Sequence, residues 1–130
     1  MPSKWMDEGE NRVAEMLFGS QPVYGVLYLG LYKNTVEPPE TYGISNLTEV
    51  TGTGYARKAL ARGSWVITGG LAEYAQQTFS ASSTWGNVYG YFLATTNDGA
   101  AKLLAIEHFD APYSIESGKG VKITPKVQVD

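Results

Sequence analysis

A chain of 130 residues with 43% hydrophobic content holds enough apolar material for one domain with one core, and too much for a disordered tail. A net charge of −3, with Lys and Arg scattered, argues against general nucleic-acid binding, which needs a basic stripe to displace counterions. The chain has no cysteine, so disulfides and thiolate metal sites cannot brace the fold, and no run approaches the roughly 18 apolar residues that cross a bilayer.

The first ten residues lack the charged-then-apolar layout of a signal peptide, so synthesis and folding in a cytoplasm are expected. From Asp7 to Phe18, Val13, Met16 and Leu17 fall at helical spacing. Asp7, Glu8 and Glu10 sit where the helix dipole favours negative charge, and Gly19 follows as a stop. Gly9 weakens the first turn and suggests a later start. Trp5 and Met6 lie in a short arm ahead of the helix.

From Val23 to Lys33 the period changes to two. Val23, Leu27, Leu29 and Leu31 alternate with Tyr24, Val26, Tyr28 and Tyr32, so both faces are apolar and the strand is expected to be central. Gly25 and Gly30 interrupt it, at a bulge or a close backbone approach. A loop of about twenty residues, Asn34 to Gly54, is longer than the usual connection of roughly 4–6 and is expected to be functional or mobile.

Strands are expected at Tyr55–Ala61 and Trp65–Thr68, with Gly69-Gly70 turning into Leu71–Phe79. In Asn87–Thr95, Val88, Gly90 and Phe92 alternate with Tyr89, Tyr91 and Leu93. Leu103–Phe109 and a short piece around Tyr113–Ile115 follow. The last strand places Val121, Ile123, Val127 and Val129 inward, and Pro125 marks an edge or bulge.

These signals predict a mainly β fold: an antiparallel β-sandwich, jelly-roll or Ig-like, of about seven strands with one short N-terminal helix. Residues 1–20 form the arm and helix, and residues 21–130 a single β-sandwich domain.

Catalytic chemistry finds little support. His108 is the one histidine, no Gly-x-Ser-x-Gly elbow presents a serine, and a histidine half-buried in a sheet and bonded locally is the plainer reading. Glu107 with Asp110, and Glu37 with Glu40, read as solvated carboxylates rather than a glycosidase pair. Gly52-Thr53-Gly54 and Gly118-Lys119-Gly120 both lack the remainder of a nucleotide loop, and Asn97-Asp98-Gly99 reads as a turn rather than a calcium loop. Arg57, Lys58 and Arg62 read as a solvated strand face. No catalytic, cofactor or metal residue is assigned, and the chain is expected not to be an enzyme. Tyr24, Tyr28, Tyr32, Tyr89 and Tyr91 could share one partly buried sheet face, as packing, as a subunit contact or as a carbohydrate platform.

The run Tyr28-Leu29-Gly30-Leu31-Tyr32-Lys33-Asn34, then Leu47-Thr48-Glu49 and Gly54-Tyr55-Ala56-Arg57-Lys58, resembles small virion proteins of tailed bacteriophages. So do Trp65, Phe79, Trp85-Gly86-Asn87-Val88-Tyr89-Gly90-Tyr91-Phe92 and Ile123-Thr124-Pro125-Lys126, which extend the likeness from about Val13 to Val129. The resemblance implies a structural virion protein, made in a host bacterial cytoplasm. One placement is a capsid decoration or cement subunit bound to the major coat protein. The other is a tail fibre, baseplate or adsorption component that binds tail proteins or host glycan. Self-association is expected, with a trimer as the natural guess among capsomers, and no nucleic-acid or membrane partner. Trp5, Met6, Phe18, Glu37, Glu40 and Tyr42 are the candidate partner-binding residues, on the arm, the helix and the long loop.

Overall fold

The computed structural model describes residues 3–129. They form ten strands and one α-helix: β1 (Lys4–Trp5), α1 (Asp7–Phe18), β2 (Val26–Tyr32), β3 (Lys58–Ala61), β4 (Val66–Thr68), β5 (Leu71–Glu73), β6 (Gln77–Ser80), β7 (Gly86–Ala94), β8 (Leu103–Ile115), β9 (Gly120–Ile123) and β10 (Lys126–Gln128). The fold is mainly β, and its ladders are antiparallel. A five-stranded sheet runs β1-β8-β7-β2-β3, a three-stranded sheet β10-β5-β4, and a two-stranded sheet β6-β9.

The helix begins at Asp7 despite Gly9. That glycine is buried, and a Cβ on it would collide with the backbone of Leu104 in β8. Its value is close approach, which outweighs the entropy lost by a helical glycine. Two neighbours fix the approach. The Met6 amide donates to Leu104 O (2.9 Å), and the Leu103 amide donates to the Glu8 carboxylate (2.8 Å). At the other end the Gly19 amide closes onto Glu15 O.

The five-stranded sheet is covered on both faces, which is why the central strands lack a polar side. Leu29, Leu31, Leu93 and Ala105 face a cluster with Phe79, Val121, Ile123 and Val127 from the two smaller sheets. Tyr32, Phe92, Ala94, Leu103 and Ile106 face a second cluster closed by Met6 and by Tyr42, Ile44 and Leu47. Within it, the glycines of β2 and β7 lie beneath aromatic rings. Gly30 pairs with Phe92 and Gly90 with Tyr32, and a Cβ on either glycine would strike the partner's ring. The close neighbour at Gly30 is therefore an aromatic side chain, not a backbone.

Three sequence expectations are corrected. The final run splits at Pro125: β9 pairs with β6, and β10 with β5. Pro125 is buried, its carbonyl accepts from Tyr74, and Val129 is exposed rather than inward. The stretch after Gly70 likewise splits into β5 and β6. Between β7 and β8 the register slips, so Tyr89 alone stands opposite Phe109–Pro112. That slip puts Val88 in the same cluster as Tyr91 and Leu93 and ends the simple alternation of β7.

Candidate interaction site

The long loop is built into the fold. Glu49 forms an isolated bridge with Tyr32, Val50 is buried with its amide on Leu31 O, and the Lys33 amide donates to Thr48 O. A compact polar knot holds its far end. The Arg57 guanidinium reaches both Glu49 oxygens (2.9 and 3.0 Å), and the Tyr55 hydroxyl donates to the same carboxylate while accepting from the Leu31 amide. The Arg57 side chain is only 10% exposed. Of the expected basic strand face, only Arg62 is exposed, because Lys58 lies over the Phe79 ring. Burial, reinforced by the Glu49 carboxylate, pushes the Tyr55 hydroxyl up beyond ordinary pH, and the Glu49 hydrogen bond raises Arg57 further.

The tyrosines do not share one face. Tyr32 and Tyr91 are both buried but lie on opposite sides of the five-stranded sheet. Burial raises both hydroxyls, so they act as neutral hydrogen-bonding groups. Tyr91 donates to Glu107 (3.1 Å), and a 2.9 Å hydrogen bond joins the Tyr32 hydroxyl to His108 Nδ1. His108 stacks between the Tyr32 and Tyr89 rings, half-buried as its sequence context suggested.

The six candidate residues fall into separate places. Met6 is fully buried, and Trp5 is half-buried with its indole N–H on Gln128 O. Deleting the arm would therefore remove β1 and open the core. Glu37 is exposed and pairs with Lys4 at 2.9 Å. Glu40 is exposed, and its carbonyl accepts the Asp7 amide at the start of α1. Its carboxylate lies with those of Asp7 and Glu10 within 4.8 Å, an exposed trio to which no ligand is assigned. Tyr42 packs against the second cluster. Phe18 stands out: it is 88% exposed at the end of α1.

Leu17, Val23, Val66, Ile67 and Val129 are also exposed. Val23, Ile67 and Val129 line one groove of about 270 Å³, together with Val13 and Met16 of α1 and the two tryptophans Trp5 and Trp65. One wall is a row across the three-stranded sheet, Ile67–Ala72–Val127, which the registers place side by side. The one charged lining residue is Arg62, and among the described residues it has no ion-pair partner at the salt-bridge distance. Period-two and helical patterns could not reveal this surface, because its residues come from segments far apart in the chain.

A second cleft, of about 560 Å³, lies along the slipped part of β8, lined by Lys4, Glu37, His108, Asp110 and Tyr113 among others. Phe109 and Tyr113 meet edge to face there at 5.0 Å. No protein-family model matches the chain, and no curated protein matches it.

Proposed function

We propose that this chain is a structural subunit of a tailed-phage virion, with its antiparallel sheets arranged as a β-sandwich. Its place in that reading is a capsid decoration or cement subunit, set against the major coat protein and against copies of itself. The observation that carries an assembly role is the open apolar groove lined by Val13 and Met16 of α1 and by Ile67 of β4. Val23, Ile67 and Val129, exposed and gathered at one groove rather than scattered, mark a face that a partner would cover. The resemblance of the sequence to small virion proteins supports the particle as the setting.

Quantitative mass spectrometry of purified particles tests this. The expected result is stoichiometric incorporation, in hundreds of copies for a head subunit and in a few dozen at most for a tail component. A chain expressed in the host yet missing from particles would overturn the reading.

The cleft on β8 favours a second reading, a tail adsorption component that binds host glycan. It sets an exposed tyrosine and a second aromatic ring beside carboxylates, the mixture that stacks on sugar faces and bonds their hydroxyls. Glycan binding by the isolated chain, lost in Tyr113→Ala, would move the assignment there.

A further inference from the structure

We infer that β4 is a self-pairing edge, through which two copies of this chain join across a two-fold axis into one continuous six-stranded sheet. The inference deepens the assembly reading and rests on it.

The backbone supplies the first reason. β4 and β5 are joined by Gly69-Gly70, both at positive φ (59° and 80°), with Thr68 opposite Leu71 and Val66 opposite Glu73. In such a two-residue hairpin the pair flanking the turn is hydrogen-bonded, and bonding alternates along the ladder. Thr68 and Val66 therefore bond inward to β5. Ile67 turns its N–H and C=O outward to the free margin, since β4 ends the sheet β10-β5-β4. An antiparallel copy centred on Ile67 would exchange both of those bonds with Ile67 of its mate.

The second reason is chemical. Folded proteins usually guard open strand margins with charge, proline or a bulge. This chain does so at three other margins. The outer edge β3 carries Lys58, and the margin of β8 beyond β1 carries Glu107, Asp110, Pro112 and the register slip. β10 is covered by the arm, with the Ser3 amide on Lys126 O and the Trp5 indole on Gln128 O. β4 has none of these guards. From Gly63 to Ala72 the sequence has no charge and no proline, and Val66 and Ile67 are 66% and 72% exposed.

A neutral, β-branched segment is complementary to itself, because two-fold pairing sets no like charges opposite each other. Pairing at Ile67 also extends the row Ile67–Ala72–Val127 into the mate's row, so each copy covers part of the other's apolar groove. The product is a closed pair, isologous by construction, and not the three-membered ring expected from sequence.

Sedimentation equilibrium of the purified chain from about 1 to about 100 micromolar tests the pairing, a range suited to a small interface. The mass should rise from one chain to two. Ile67→Lys, which puts two ammonium groups together at the axis, should weaken the pair by about tenfold or more while leaving the circular dichroism unchanged. Should that variant fold poorly, amide exchange of the unaltered chain decides the matter: the Ile67 N–H should slow as concentration rises, and a rate independent of concentration would count against the pair.

A monomer throughout, a trimer, or a dimer indifferent to Ile67→Lys would overturn the pairing. The assembly reading stands or falls separately. A monomeric chain still found in particles sinks the pairing alone, and a dimeric chain absent from particles sinks the virion reading alone.

Discussion

At the level of single residues, glycine shows how far chemistry depends on its surroundings. Ala for Gly in an exposed helix usually gains about 1 kcal/mol. Gly9→Ala should do the reverse, because the new methyl collides with the Leu104 backbone and α1 must lift from β8. Urea titration should show a loss of about 2 kcal/mol or more, while Gly25→Ala, which meets open space, stays within about 0.5 kcal/mol. The sequence displays Gly9 as a defect in a helix, since helical spacing reports only local neighbours. Its partner lies 95 residues on, at the same place where Glu8 bonds the Leu103 amide. Gly30 and Gly90 are similar: their alternation is visible in the sequence, but the rings resting on them are known only once β2 and β7 are in register.

At the level of elements, α1 and the hairpin at Gly69-Gly70 were legible because period, cap and turn chemistry all act within a few residues. The long loop was legible as a segment but not as a packed one. What pins it is the contact of Glu49 with Tyr55 and Arg57, and no local pattern announces an ion pair closed across eight residues of irregular chain. Glu49→Gln keeps the shape and removes the charge, so it should destabilise the fold by about 1–3 kcal/mol in urea. In a double-mutant cycle, adding Arg57→Gln should cost less than it does alone, because the two side chains form one unit. Pro125 and the stretch between Phe109 and Tyr113 were visible as interruptions, but not that β9 and β10 join different sheets while β8 runs on through its register slip. Each flanking stretch reads as strand, and only the partner strands decide where one ladder ends and another begins.

At the level of the whole molecule, the two sides of the fold are treated differently. Both faces of the five-stranded sheet are sealed, one by the smaller sheets and the other by Met6 and the long loop. The side with Val13 and Met16 of α1, Val129 and β4 keeps an open apolar groove and an unguarded strand margin. An open apolar groove beside an unguarded strand margin gains from a partner that covers it. Sequence shows apolar residues one at a time but not that Val23, Ile67 and Val129 gather at one groove, which is why Ile67 was not a candidate. The arm expected to bind a partner is itself folded into the sheet, with Met6 buried and Trp5 lining the groove. Comparing amide hydrogen exchange in the free chain and in particles that carry it locates the covered face directly. Slowed exchange at Met16–Phe18 and Val66–Thr68 is the predicted result; unchanged exchange there, with protection confined to Phe109–Tyr113, would contradict it.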